Sequence, residues 1–223
     1  MPLIDLSVKE KPAKEKPVKE KKERVHFKFP IKEHLLGVRG GYALTGMFYN
    51  PPREDYKGYP AYPDVSVLYT FYHDLWGNIP YFGLQAGVRY THYGYKRETS
   101  GLLYDVIQVP LVSQFHVDFW KMRLLLNLGV YGGYRFRAFS YNTETGETHK
   151  EVTFDANHIP FDFGLQGGAG FAFHFHPFEL QFEANAFYSM SLIENYALTS
   201  AEYYTWGHPY QLLFSVGLFL HIK

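Results

Sequence analysis

The sequence contains no cysteine and no apolar stretch long enough to cross a membrane as a helix. The absence of cysteine excludes disulfides, cysteine-ligated zinc and thiol nucleophiles. A membrane-spanning helix needs about 20 consecutive apolar residues, and no run of even about 18 occurs. The formal net charge of +0 at pH 7 gives no basic excess of the kind that binds nucleic acid. Any membrane-spanning structure must therefore be built from strands, and nucleic acid is not an expected partner.

Aromatic residues and glycine are abundant. The 223 residues include 20 Tyr, 20 Phe and 20 Gly, a composition typical of β-barrels and β-sandwiches. From Asp162 to Ala184 the sequence reads DFGLQGGAGFAFHFHPFELQFEA, with an apolar residue at nearly every second position. This alternation predicts extended strands with one apolar face and one polar or small face.

The same pattern recurs along the chain and predicts eight strands. They are placed near residues 34–46, 62–73, 80–95, 103–118, 121–139, 158–175, 178–191 and 208–222. The connections between them alternate between long and short, as in an up-and-down meander with tight turns at one rim and loops at the other. The predicted fold is an all-β, eight-stranded antiparallel up-and-down transmembrane β-barrel over residues 34–223.

The phase of the alternation favours an apolar face that meets lipid and a polar face that lines the barrel. The polar face is rich in glycine and in charges that can pair across a narrow lumen: Arg39, Arg89, Arg135, Arg137, Asp162, Glu179 and Glu183. Aromatic residues gather at the predicted strand ends, where a membrane interface selects them; the candidates are Trp76, Trp120, Tyr62 and Tyr210. The alternative is a soluble lipocalin-like barrel, whose apolar face would point inward and bind a lipid or other small ligand.

Several of these strands resemble the PorT-like outer-membrane barrel family of the Bacteroidetes. The resemblance lies in IQVPL at Ile107–Leu111, followed by LGVYGGY and then DFGLQGGAGF, and it covers residues 34–223. It implies an eight-stranded barrel in the outer membrane of a Gram-negative cell, with both termini in the periplasm. The final SVGLFLHI, from Ser215 to Ile222, is similar to the signal read by the barrel-insertion machinery.

Residues 1–33 differ from the rest of the chain. They are a mixture of Lys, Glu and Pro in which KEKP occurs twice, at Lys9–Pro12 and Lys14–Pro17. Such a segment buries too little apolar surface to offset its ordering entropy, so it is predicted to be a flexible periplasmic tail. It is interpreted either as a solvated linker or as a segment that binds a periplasmic or envelope partner; the long loops are a second candidate surface for a partner.

No motif indicates an enzyme or a cofactor. A membrane-facing lipid deacylase needs a His and a Ser on the lipid face; His92 has the right phase, but the nearby serine, Ser100, falls in a predicted loop. His174 and His176 share a strand face at a spacing that can ligate a metal, yet no third ligand is evident, and no metal site is predicted. The predicted function is a non-enzymatic structural or interaction component of the cell envelope, in contact with outer-membrane lipid. One form of this prediction also links the protein to a secretion system. The alternative is a lipid- or ligand-handling barrel, soluble or enzymatic.

Overall fold

The structure, a computed structural model, describes residues 32–50, 56–57, 59–73, 81–97, 100–142, 148–153, 158–193 and 206–222. These residues form ten strands: β1 Lys32–Asn50, β2 Tyr56–Lys57, β3 Tyr59–His73, β4 Phe82–Arg97, β5 Ser100–Phe119, β6 Met122–Asn142, β7 Thr148–Val152, β8 Phe161–Phe175, β9 Phe178–Ser189 and β10 Trp206–Ile222. No helix among the described residues is long and apolar enough to cross a membrane.

Eight of the strands close into a barrel. Neighbours pair antiparallel in the order β1, β3, β4, β5, β6, β8, β9, β10, and β10 returns to pair with β1 from His34↔Ile222 to Asn50↔Trp206. Closure gives each of these eight strands a partner on both sides, as strands in a bilayer require. The predicted eight-stranded up-and-down barrel is confirmed. The two additional strands, β2 and β7, extend the pairing of β4 and β6 at one end.

The two ends of the barrel differ. One end, the turn end, holds the first residues of β1 and the last residues of β10. It also holds two tight turns, Trp120–Lys121 and His176–Pro177. Trp120 has a φ of 56°, the left-handed value that a two-residue hairpin turn demands. The opposite end, the loop end, carries β2 and β7. The first strand begins at Lys32, so Lys32 and Glu33 belong to the barrel and not to the tail; residues 1–31 lie outside the described part of the chain.

The apolar side chains point outward. Along β8 and β10 exposed and buried residues alternate, and Leu128, Val109 and Phe161 are 64%, 56% and 66% exposed. The inward positions hold buried arginines, carboxylates and amides instead. Water does not favour a continuous apolar wall of this kind, whereas hydrocarbon does. The soluble lipocalin-like alternative required the opposite orientation and is therefore wrong.

Glycines on the inner face make room for the polar side chains. A Cβ at Gly168 would collide with Oδ1 of Asn185, and one at Gly170 would collide with the carbonyl oxygen of Phe182 and lie 2.7 Å from Cγ of Glu183. These contacts are closer than real Cβ atoms approach. The glycines on the polar face of β8 are therefore needed so that the neighbouring strand β9 can turn its side chains into the lumen.

Candidate functional site: the polar interior of the barrel

A network of charged and amide side chains fills the barrel interior and is the candidate functional site. It has three parts, named by their position between the two ends. The loop-side cluster comprises Asp64, Arg89, Gln108, Arg135 and Asp162. The middle cluster comprises Arg39, Gln85, Asn127, Glu183 and Asn185. The turn-side cluster comprises Glu33, Asp118, Arg123 and Glu179.

The loop-side cluster joins two arginine–aspartate pairs through one amide. Arg89 donates to Asp64 from Nε at 2.9 Å and from Nη2 at 2.5 Å, and its Nη1 donates to Oε1 of Gln108 at 2.7 Å. The Gln108 amide donates in turn to Asp162 at 2.9 Å, and Asp162 accepts from Arg135 at 3.0 Å. All five side chains are nearly inaccessible. Two guanidinium groups thus face two carboxylates, so this cluster is electrically balanced.

Arg135 also satisfies the backbone at the loop end. Its Nη1 donates to the carbonyl oxygens of Ile159, Leu192 and Phe161 at 2.8, 3.0 and 3.1 Å, and its Nε donates to the hydroxyl of Tyr93. Burial of a guanidinium is tolerated only when its donors are paired in this way. Arg135 therefore fixes the segments on both sides of the β8–β9 pair.

The middle cluster is built on one ion pair. Arg39 donates to Glu183 at 2.7 Å, and the second carboxylate oxygen of Glu183 accepts from the amides of Asn127 at 2.8 Å and Asn185 at 2.7 Å. Arg39 also donates to Gln85 at 3.2 Å. One positive and one negative group again balance, and the amides occupy the remaining lone pairs of the carboxylate.

The turn-side cluster places three carboxylates around one arginine. Arg123 lies 2.6 Å from Asp118, 3.2 Å from Glu33 and 3.3 Å from Glu179, and its guanidinium also lies 4.2 Å from the centre of the Tyr72 ring. Glu33, Arg123 and Glu179 are almost fully buried. Three histidines border the cluster: His174, His221 and His116.

Little space remains between these groups. A cavity lined by Tyr93, Gln108, Tyr131, Phe187 and Gln211, among others, measures about 10 Å³, which holds about one water molecule. The Phe187 ring packs on the guanidinium of Arg89 at 3.9 Å and closes the lumen further. An eight-stranded barrel is only wide enough for its own side chains. Over the described residues, the interior is therefore a plug of paired charges and not an open channel.

The structure places six of the seven predicted network residues in the lumen: Arg39, Arg89, Arg135, Asp162, Glu179 and Glu183. Arg137 does not belong to the network. A bulge sets Arg135 opposite Val106 and Arg137 opposite Asp105, so one extra residue of β6, Phe136, is accommodated and the inward phase is shifted. The Arg137 side chain is 54% exposed and lies 3.9 Å from Glu151 of β7. Strict alternation could not reveal this bulge.

Four charged residues of the network are absent from the set predicted from the sequence: Glu33, Asp64, Asp118 and Arg123. Glu33 falls within the segment predicted to be a tail, although it continues the inward phase of β1. Asp64 precedes the alternation VSVLYTFY of β3 and shares the phase of its buried members. Extending each alternating pattern to its ends would have found both. Arg123 lies on the predicted polar face of β6, so the same alternation was a sufficient signal for it.

The structure describes the side chains of two of the four predicted interface aromatics. Trp120 is 73% exposed at the turn end, with the Lys121 ammonium 5.9 Å from its ring. Tyr210 lies on the outer face, where its ring packs against Phe48 at 4.4 Å. Trp76 and the side chain of Tyr62 lie outside the described residues.

A polar pair lies on the outer face of the barrel. Nδ1 of His92 is 2.6 Å from Oδ1 of Asp105. Both residues share the outward phase of neighbouring Val88 and Ile107, but their side chains are only 11% and 5% exposed. Ser100 pairs with Arg97, five residues farther along the β4–β5 ladder, or about 17 Å at 3.4 Å per residue. Ser100 is therefore too far from His92 to act with it.

Comparison with solved structures identifies the fold. The crystal structure of Neisserial surface protein A matches with a TM-score of 0.50 and 12% identity over 84% of this chain and 97% of that one. Ail of Yersinia pestis matches with a TM-score of 0.42 and 15% identity over 84% and 99%, and OprG of Pseudomonas aeruginosa with 0.44 and 13% over 86% and 98%. No protein-family model and no curated protein matches the chain. The fold is that of the eight-stranded outer-membrane barrels.

Proposed function

We propose that this chain is a non-enzymatic barrel of the outer membrane that serves as a structural or interaction component of the cell envelope. The observation that supports this most directly is the combination of an apolar outer wall with a lumen filled by paired charges. Such a barrel is a stable anchor, because the wall is solvated by acyl chains and the described part of the interior is filled by its own side chains. Such a barrel would contact other molecules through its loops, its N-terminal tail or its outer wall.

Fractionation and conductance test this proposal together. The chain should be recovered with outer membranes, and the unheated folded form should migrate differently from the heated form on a gel. In a planar lipid bilayer it should give no stepwise conductance. Recovery in the soluble fraction would reject the membrane location, and regular conductance steps would reject the plugged lumen.

The partner is proposed to bind through the N-terminal tail or the loops. The PorT-like resemblance supports a role near a secretion system, and the Lys/Glu/Pro composition of residues 1–33 suits a tether. A pull-down from envelope extracts with the full chain, compared with a chain lacking residues 1–31, tests this. The truncation starts at β1 and leaves Glu33 in place, so the barrel keeps its turn-side cluster. Equal capture by both chains would assign binding to the barrel.

A lipid-modifying enzyme is the second candidate, because His92 and Asp105 form a close pair at outward-phase positions of β4 and β5, with 11% and 5% of their side chains exposed. A histidine oriented by a carboxylate can act as a general base. The test is release of fatty acid from purified outer-membrane lipid by the detergent-folded barrel. Activity that disappears in His92→Ala would favour the enzyme, and equal release by the two proteins would count against it.

A further inference from the structure

We propose that the turn end of the barrel holds a divalent transition-metal ion, of the Zn²⁺ class, between His174, Glu179 and His221. The three residues lie on the three consecutive strands β8, β9 and β10, and all project into the lumen. One ligand atom from each lies within 4.8 Å of the others. This site goes beyond the structural role proposed above and does not depend on it.

The geometry is close to that of a metal site before the ligands close on the ion. Nε2 of His174 is 3.1 Å, and Nε2 of His221 3.9 Å, from the same Glu179 oxygen, Oε2. Zinc bonds of about 2.0 to 2.2 Å place tetrahedral ligand atoms about 3.3 Å apart. Small side-chain rotations are enough to reach this spacing. Two imidazoles and one carboxylate are a ligand set that zinc and the neighbouring divalent metals accept.

The backbone holds the ligands in place. His174 and Glu179 are direct partners in the β8–β9 ladder, on either side of the tight turn. The amide of His221 donates to the carbonyl oxygen of Pro177 in that turn at 2.9 Å, which fixes the end of β10 beside it. The other oxygen of Glu179 accepts from the amide of Gln181 at 2.8 Å. Such a second hydrogen bond orients a ligand carboxylate.

Charge balance gives an independent reason for a cation here. Asp118, Glu33 and Glu179 all form ion pairs with the single guanidinium of Arg123. With neutral imidazoles, this cluster has a formal excess of two negative charges, whereas the loop-side and middle clusters are balanced. One divalent cation cancels the excess. When Oε2 of Glu179 binds the metal, Arg123 still forms its ion pairs with Asp118 and Glu33.

The site lies at the turn end of the barrel, and its ligands differ in exposure. The side chains of His174 and His221 are 8% and 18% exposed, while that of Glu179 is fully buried. A metal bound here would link the last three strands of the barrel to each other. The expected effect is a stabilising clasp at the turn end, not catalysis.

The experiment is a Co²⁺ titration of the untagged, detergent-folded full chain after treatment with EDTA. We expect one equivalent of cobalt with visible absorption, displaced by Zn²⁺. Loss of an outer-shell partner alone typically costs 10- to 100-fold in metal affinity, so His174→Gln and His221→Gln should each weaken binding by about 100-fold or more. His208→Gln is the matched control, because His208 hydrogen-bonds the Ser189 carbonyl near the loop end, and it should bind cobalt as the unaltered chain does.

Two outcomes would overturn the proposal. One is the absence of saturable one-to-one binding to the unaltered chain, which would leave protons as the counter-charge. The other is unchanged affinity in both ligand variants, which would place the ion elsewhere. The titration of the unaltered chain decides the first outcome even if a ligand variant does not fold, and Glu33→Gln, which keeps all three ligands, should weaken binding by reducing the negative charge.

Discussion

The loop-side and turn-side clusters use the same kinds of side chain but differ in charge balance. In the loop-side cluster two arginines face two aspartates, with Gln108 between them. In the turn-side cluster one arginine faces three carboxylates, and histidines border it. A balanced buried cluster is complete without another ion, whereas an unbalanced one needs protons or a cation. The loop-side cluster therefore needs no further ion, whereas the turn-side cluster is suited to bind a cation.

The largest expected effect comes from breaking the balanced cluster. Arg135→Met leaves Asp162 without its arginine and removes the donor to three carbonyl groups. Breaking a buried pair costs about 3 to 5 kcal/mol in the free energy of unfolding. Urea unfolding of the detergent-folded barrel measures this loss.

Arg137→Met is the matched control for that prediction. It lies two residues farther along the same strand, but its side chain is exposed. Exposed substitutions usually change the free energy of unfolding by less than about 0.5 kcal/mol. Equal losses in the two variants would contradict the assignment of Arg135 to the lumen and Arg137 to the outside.

The next prediction compares one carboxylate from each cluster. Asp162→Asn leaves Arg135 without a countercharge and should cost about 3 kcal/mol in the free energy of unfolding. Glu33→Gln leaves Arg123 with Asp118 and Glu179 and reduces like-charge repulsion, so in metal-free buffer it should change stability by less than about 1 kcal/mol. Urea unfolding in EDTA measures both. If Glu33→Gln lowered the free energy of unfolding as much as Asp162→Asn does, the turn-side cluster would have no excess of negative charge.

The alternation of residues was sufficient to predict the barrel and which side of it is apolar. A strand has a side-chain period of two, and each register slip exchanges the two faces, so a buried polar face is strongly specified by the sequence. This is why the alternation alone places Arg39, Arg89 and Glu183 in the lumen. The number and order of the strands followed from the same pattern and from the turn signals between them.

The partners within the lumen could not be predicted in the same way. They depend on shear between strands, which brings together residues as distant as Glu33 and Arg123. The bulge at Phe136 changes the phase of β6. Residues 134–138 contain no glycine or proline from which this bulge could be predicted. The metal candidate is a further case: HFH gave two histidines on one strand, but His221 of β10 became a neighbour only through the closed ladder. Pairing of distant strands is therefore the information that the residue pattern lacked.

A smaller effect is expected from filling the space that a lumen glycine provides. Gly170→Ala puts a Cβ against the Phe182 carbonyl oxygen and 2.7 Å from Cγ of Glu183 in the middle cluster. Overpacking of this kind costs about 1 to 3 kcal/mol. Gly132→Ala is the control, because nothing lies within 4 Å of the added atom, and alanine suits a strand better than glycine by about 0.5 to 1 kcal/mol. Thermal unfolding should rank Gly132→Ala at or above the unaltered chain and Gly170→Ala below it.

The smallest effect concerns His158, which precedes β8 at the loop end and stacks on Tyr104 with ring centres 5.7 Å apart. Burial, together with the positive charge of Arg135, lowers the pKa of His158 from 6.5 to about 4. The unfolded chain therefore binds this proton first as the pH falls, so His158 reduces stability progressively between pH 6.5 and about 4 and adds no further loss below that. In His158→Gln the decline over this range should be shallower, while above pH 7 the two proteins should differ by a constant amount. Unfolding curves measured at intervals from pH 8 to pH 4 give both quantities, and parallel curves throughout would show that His158 takes up its proton equally well in the folded barrel.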